Sequence, residues 1–471
     1  MKFTFTQKPI DQAPKEYVRV RIVADGQTKL VIENDTQTLE IGSKKWSEVN
    51  QRKFILLCRS IIAEAKKNKF KKIAVQLSES PFPQLSEILL PEFGSTIAQA
   101  FEMANYEHTA YKTTPKEGWS NLEEVLICGK TPDEMIEGFK KGQMIAHEVN
   151  QCRELCNTPG GDMTPTTLAN SAKIALKGTK ATVKVLGVKE MQKLKMGAIL
   201  GVGKGAEEEP KFIIIEYFGG PKNEAPVVLA GKGVTFDTGG LNLKPTNSIY
   251  EMHMDMSGGA AVIHTLALVA KYKLKKNVVG LIPAVENSVS GSSYRPGDIL
   301  TSMSGKTIEV LDTDAEGRII LADALEYAKK YRPRLVVDVA TLTGSALGTL
   351  GEIASAICSK DSKLTDLFQK LGEESGDYQW PLPLWDEYEE FTKGTFGDVA
   401  NIPSSGNTRY AGAIMGAMFL YQFVKDTKGI PEYPWVHIDM APVMTARAGE
   451  FLAKGATGAP TRFLFKLIEQ Y

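Results

Sequence analysis

No stretch of this 471-residue chain approaches the ~18 uninterrupted apolar residues that a membrane-spanning helix needs, so no span is expected. The opening residues, MKFTFTQKPIDQAPKEY, hold no apolar core of signal-peptide length. Cysteine is scarce: Cys58, Cys128, Cys152, Cys156 and Cys358 form an odd set with no CxxC pair. That pattern suits reduced thiols and a cytoplasmic location rather than a disulfide framework. Cys152 and Cys156 stand one helical turn apart and read as two packed thiols. Histidine is equally scarce, with five residues and no HExxH, so an imidazole-rich zinc site is not expected. Charge of one sign is lacking too: Lys+Arg and Asp+Glu both number 56, which argues against nucleic acid or an anionic membrane as the main partner. The basic run KKNKFKK (66–72) reads as a solvated helix end.

What remains is an ordinary globular composition, 43% hydrophobic and 24% charged, in a chain long enough to predict two domains. The first reads as an α/β domain over 1–130. Its signals are a strand at 17–23 (YVRVRIV), helical spacing over 47–67, a strand at 72–77, a helix around 84–105 and a strand at 124–128. A connecting helix is predicted over 131–157. Thr131 is its expected N-cap, Pro132 its first turn and Glu134 the partner in a capping box. It ends at NTPGG, a loop signature. The remainder, 158–471, reads as a larger catalytic α/β domain with a mixed central sheet. Apolar strand-like runs fall at 212–217, 227–230, 278–284, 335–339, 353–357 and 436–438. In open sheets of this kind, ligands bind outside the carboxyl ends of the strands.

Three segments follow that rule. APVVLAGKGVTFDTGGLNLKP puts Lys232, Asp237 and Lys244 beyond a buried-type strand. Its glycines 231, 233, 239 and 240 suit a backbone folded tightly around something small. EMHMDMSGGAA sets Asp255 between two methionines ahead of a helix. KTIEVLDTDAEGRIILADAL gathers Asp312, Asp314, Glu316 and Arg318 in seven residues. If the backbone is extended there, Asp314 and Glu316 point to the same side. Clustered carboxylates repel unless protons or cations intervene, and hard oxygen ligands suit Mg²⁺, Mn²⁺ or Zn²⁺. Taken alone, DTDAEGR also fits a solvated acidic turn. As an EF-hand it fails, because its twelfth position is Asp323 and a strand-like run precedes it. Gly231-Lys232 fails as a phosphate loop, because Gly233 stands where Ser or Thr belongs.

GKGVTFDTGGLNLKP, the Asp of HMDMSGGAA, and TDAEGR closely resemble the signature segments of the leucyl (cytosol) aminopeptidase family, two-metal exopeptidases. Weaker matches are RELCNTPG (153–160), VGKGAEEEPKFI (202–213), DVATLTGS (338–345) and WVHIDMAP (435–442), so the resemblance covers roughly 153–465. It implies a metal-dependent aminopeptidase that releases N-terminal residues, leucine and other apolar ones, from peptides. Asp237 and Glu316 would bridge two divalent metals, Mn²⁺ or Zn²⁺ with Mg²⁺ or Co²⁺ as alternatives. Asp314 would complete the exchangeable site, and Lys232 with Asp255 the tighter one. A metal-bridging hydroxide would attack the first carbonyl while the substrate's free amine anchors on a metal. Lys244 would stabilise the oxyanion, and Arg318 would hold a bicarbonate acting as general base.

The side-chain pocket is implied at Met252, Thr341, Gly344 and Ala456. Family members often carry Met where Ala456 stands, so a wider pocket is expected here, and Asn where Asp312 stands. Asp312 either strengthens cation binding or hydrogen-bonds the loop. The resemblance further implies a homohexamer. Two rivals remain: a Cys-Gly type dipeptidase on the same scaffold, and a binding protein that kept the fold without catalysis. All seven motif positions carry functional residue types, which speaks against the second.

Overall fold

The computed structural model describes residues 1–33, 36–77, 82–404 and 410–471. It divides into two compact units, Met1–Asn150 with Ala446–Gly455, and Gln151–Thr445 with Ala456–Tyr471. No helix among the described residues is long and apolar enough to cross a membrane.

The first unit is built on a six-stranded sheet of β1 (Lys2–Thr6), β2 (Val18–Ala24), β3 (Lys29–Glu33), β4 (Thr36–Ser43), β5 (Lys72–Val75) and β6 (Glu124–Cys128), in the order β1-β6-β5-β2-β4-β3. Only β3 runs antiparallel to its neighbour. Helices Gln51–Lys67 and Leu90–Asn105 supply Phe54, Ile61, Ile97 and Phe101 to its core. Asn50 caps the first helix through its side chain, which accepts the Lys53 N–H at 3.1 Å. The basic run closes that helix: Lys67, Asn68 and Lys69 are exposed, while Lys66 is held 2.8 Å from Glu107.

Helix Asp133–Asn157 begins later than the capping-box reading predicts. The Pro132 carbonyl accepts the Ile136 N–H at 3.1 Å, so Pro132 occupies the cap position. The Thr131 hydroxyl turns instead to the Gly129 carbonyl, 3.3 Å away.

The second unit carries a nine-stranded mixed sheet made of β7 (Thr182–Leu186), β8 (Lys211–Phe218), β9 (Val227–Gly231), β10 (Gly233–Asp237), β11 (Asn277–Asn287), β14 (Leu335–Ala340), β15 (Ser355–Cys358), β16 (Gln379–Pro381) and β18 (Trp435–Asp439). A small separate sheet holds β12 (Ile299–Thr301), β13 (Thr307–Glu309) and β17 (Val399–Ala400). β9 and β14 are buried along their whole length, which is why their sequences are unbroken apolar runs rather than alternating ones.

The long strand β11 organises the centre. Its first half pairs in parallel with β9 and its second half, from Ala284, with β10. Lys232 is the single residue between those two strands, where the sheet divides. Its N–H goes to Val339 of β14 at 2.9 Å and its carbonyl takes the Gly259 N–H at 2.7 Å. Residues Gly233–Asp237, beyond the strand-like run expected at 227–230, form strand β10, because β11 is long enough to serve two partners in succession.

Candidate metal centre

The chain brings polar and charged residues to the carboxyl ends of the central strands. Lys232 follows β9, Asp237 ends β10, Thr341 follows β14 and Asp439 ends β18. Asp255 sits just before helix Ser257–Lys271, and Glu316 is the first residue of helix Glu316–Ala328. The expectation that Asp314 and Glu316 share a side through extended backbone is corrected. Asp314 lies in a turn and Glu316 in a helix, and the two meet the other carboxylates because the turn folds back toward β10.

Carboxylate oxygens of Asp237, Asp255 and Glu316 lie within 4.8 Å of one another, all three side chains buried. Lys232 Nζ stands 2.7 Å from Asp255 and 2.8 Å from Glu316, and Lys244 Nζ stands 2.9 Å from Asp237 and 2.5 Å from Asp314. Four carboxylates thus face two ammonium groups. Among the described residues, both oxygens of Glu316, Asp255 Oδ2 and Asp314 Oδ1 are buried without a directed hydrogen bond, although the ammonium groups pair with some of them. Buried lone pairs in excess of donors are costly unless a cation takes them. The set of hard oxygens around one amine suits divalent ions, so the residues present fit such a group.

The titration behaviour has the same cause. Burial pushes Asp255 up to about 8 against the pull of Lys232, and pushes Asp314 up to about 7 with Asp237 adding to it. Burial also raises Asp237, with Glu316 adding to the effect. Burial works against the charge of Glu316 as well, but Lys232 and Lys244 outweigh it and hold that carboxyl below its usual range. Burial would lower both lysines; Asp255 and Glu316 around Lys232, and Asp237 and Glu316 around Lys244, reverse that and keep them protonated.

Several residues that sequence reasoning missed fix these groups. Asn287, at the end of β11, donates from Nδ2 to Asp237 Oδ1 at 2.8 Å and to the Thr313 carbonyl at 2.9 Å. The Gly239 N–H adds a second bond to Asp237 Oδ1 at 2.8 Å, from a backbone with φ of 85° that favours glycine. Thr313 and Asn242 bind each other through two bonds of 3.0 Å and tie the DTDAEGR turn to the loop after β10. Asp439 takes the Thr343 hydroxyl at 2.7 Å and the Leu342 N–H at 3.1 Å. The carboxyl-end rule could have pointed to Asn287 and Asp439, since each closes an apolar strand.

Asp312 resolves in favour of the loop: its Oδ1 accepts the Asp314 N–H at 2.8 Å. Arg318 is buried two residues past Glu316. Its Nη1 donates to the Asn401 carbonyl at 2.7 Å, and its Nε lacks a hydrogen-bond partner among the described residues. Thr341 joins the cluster directly, its hydroxyl 2.6 Å from Asp255 Oδ1 and its carbonyl 3.0 Å from Lys232 Nζ. Met252 is half-buried three residues before Asp255, and Gly344 opens helix Gly344–Leu350 at the surface. Ala456 is buried; its carbonyl takes Arg153 Nε at 2.9 Å and its N–H goes to Asn157 at 2.8 Å. Cys152 and Cys156 are both buried in their helix, as packed thiols would be.

Residues 150–465 match the family model described as the cytosol aminopeptidase family, catalytic domain. The chain is 44% identical over 357 residues to the probable cytosol aminopeptidase of Azoarcus sp. (strain BH72), covering 76% of this chain and 69% of that protein. It is 39% identical over 427 residues to the probable cytosol aminopeptidase of Saccharophagus degradans, covering 90% and 82% respectively. Among solved structures it is similar to the bottromycin maturation enzyme BotP in complex with Mn, with a TM-score of 0.84, 25% identity, and coverage of 97% of this chain and 99% of that one.

Proposed function

The chain belongs to the cytosol aminopeptidase family and is a metal-dependent aminopeptidase, a hydrolase acting on peptides, and we propose from this premise how its residues divide the work. In this reading Lys232, Asp237, Asp255, Asp314 and Glu316 would hold two divalent ions, Mn²⁺ or Zn²⁺, with Asp237 and Glu316 serving both. The observation that carries it is the approach of the Asp237, Asp255 and Glu316 carboxylates to within 4.8 Å in a buried site. The complex of the bottromycin maturation enzyme with Mn supports manganese. The ions would supply Lewis-acid activation of a water and of the scissile carbonyl.

The chain's own groups do the rest. Lys232 binds a cation only as a neutral amine, so its proton must leave as the ion enters. Lys244, held protonated by Asp237 and Glu316, donates to the oxygen of the scissile carbonyl as charge develops there. Arg318 keeps its guanidinium buried, with Nε available to an anion, and would hold a bicarbonate, which would supply a general base there. Met252, Thr341, Gly344 and Ala456 line the pocket for the N-terminal side chain, leucine and other apolar residues. The small Ala456 leaves room for larger ones.

We further propose that 158–471 forms the catalytic domain, with 1–130 and the helix of 131–157 preceding it, that the protein is a cytoplasmic homohexamer, and that peptides rather than nucleic acid are its partners. The equal numbers of acidic and basic residues support the last point.

The test is hydrolysis of leucine anilide by metal-stripped protein with Mn²⁺ or Zn²⁺ added back, beside the N-acetylated substrate. Metal-restored cleavage of the free-amine substrate alone is expected. Equal cleavage of both would overturn amine anchoring.

A further inference from the structure

Asn401 is fully buried immediately after β17 and makes contact with three parts of the site region at once. Its Oδ1 accepts the N–H of Leu311 at 2.8 Å and that of Asp312 at 3.3 Å. Its Nδ2 donates to the Asp312 carbonyl at 2.5 Å and to the Ala315 carbonyl at 3.4 Å. Its own N–H goes to the Glu309 carbonyl at 3.1 Å, and its carbonyl receives Arg318 Nη1 at 2.7 Å. The turn that carries Asp314 is thereby bound on both its donor and its acceptor sides by one side chain.

The segment leading to Asn401 does not need that side chain for its own anchorage. Glu309 Oε2 accepts the N–H groups of Thr395 at 2.6 Å and Phe396 at 2.8 Å. Thr307 and Asp398 exchange hydrogen bonds of 2.8 and 2.9 Å, and Val399 and Ala400 pair in register with Ile308 and Glu309. The bonds of the Asn401 amide are therefore directed at the turn rather than at its own segment. A short side chain that both donates and accepts is what the turn requires: Asp lacks the donor, and Ala lacks both groups.

We propose that Asn401 is a positioning residue of the reaction. It holds the 311–315 turn and the Arg318 guanidinium in one register, so that Asp314, Glu316 and Arg318 form a single preorganised unit. This rests on the metal-site reading above. Outer residues that orient metal ligands typically govern affinity or turnover by about 10–100-fold.

The test uses the full chain with Asn401→Ala and Asn401→Ser, and Thr307→Val as a control that loosens the same segment away from the turn. Thermal unfolding in chelator, Mn²⁺ binding by calorimetry, and kcat and KM on leucine anilide are measured for each. For the Asn401 variants, binding of one of two Mn²⁺ ions is expected to weaken about 10–100-fold. Turnover should fall by a similar factor while KM changes little. Thr307→Val should lower the unfolding temperature with Mn²⁺ binding and kcat unchanged. Should Asn401→Ala not fold, Asn401→Ser, which keeps a hydroxyl, decides the matter; if neither folds, the role is architectural and the proposal falls. It falls equally if the Asn401 variants bind and turn over as the unaltered protein does, or if Thr307→Val loses Mn²⁺ to the same extent. Failure of the unaltered protein to bind Mn²⁺ or cleave the anilide would instead overturn the metal-site reading itself.

Discussion

Lys232 passes directly against Gly317: a Cβ added at Gly317 would stand 2.5 Å from Lys232 Cε and 2.8 Å from Nζ. The glycine of the DTDAEGR segment is thus a clearance for the lysine of the first segment, 85 positions away. The clash of Gly317→Ala falls on the far end of a flexible side chain, so the fold can yield to it. Helix propensity favours Ala over Gly by about 1 kcal/mol, which offsets part of the strain. The ammonium, however, would be driven off Asp255 and Glu316. We expect Gly317→Ala to unfold near the temperature of the unaltered protein yet to lose about 100-fold in kcat/KM, the scale set by an ångström of misplacement. Calorimetry beside leucine anilide kinetics separates the two effects; full activity would show that Lys232 has another way through.

Asn287 holds Asp237 and the Thr313 carbonyl with one amide, in full burial. Asn287→Ala should leave both acceptors short of a donor and cost about 1–3 kcal/mol of stability. It should also weaken Mn²⁺ binding about 10–100-fold. Urea unfolding in chelator and a Mn²⁺ titration check the two parts independently.

The pH response of the small sheet follows from Glu309. The backbone N–H of Phe396, with those of Thr395 and Gly397, holds its carboxyl below the usual range despite burial. A group whose pKa is lower folded than unfolded stabilises the fold above its unfolded value, about 4.3, and loses that contribution as pH falls through the folded one. The stability gap between the unaltered protein and Glu309→Gln should therefore be full near neutrality and close in acid. Urea midpoints for both proteins from about pH 6 to about pH 3 would show it. A gap that widens in acid would contradict the sign.

Ala456 sets the expected breadth of the pocket. Ala456→Met should cut kcat/KM for a phenylalanine anilide relative to an alanine anilide by about 10-fold or more, the scale of one or two methylenes in an apolar pocket. Since Ala456 is fully buried, some loss of stability, about 1–3 kcal/mol from overpacking, accompanies it. An unchanged ratio would remove Ala456 from the pocket.

Much of the fold was legible because its strands obey simple rules. The fully buried strands β9 and β14 are unbroken apolar runs, and β2 alternates. β10 was not legible, because GVTFD is short and flanked by glycines, and only its pairing with the far half of β11 makes it a strand. The connecting helix was read correctly in its body, while its first turn depended on where the Thr131 hydroxyl chose to bond.

The sequence by itself determined which chemistry is possible. Carboxylates and lysines in three segments after strands, with scarce histidine and cysteine, admit hard divalent cations and do not favour an imidazole-rich site. Family signatures in the same segments determined the activity. Tertiary structure alone decided which side chains share a space: that Asp312 braces its turn, that Gly317 clears Lys232, and that Asn287 and Asn401 hold the backbone around Asp314. The physical reason is that asparagine carries no charge and no periodicity. Its amide becomes informative only when folding places unsatisfied backbone groups within hydrogen-bond reach of it.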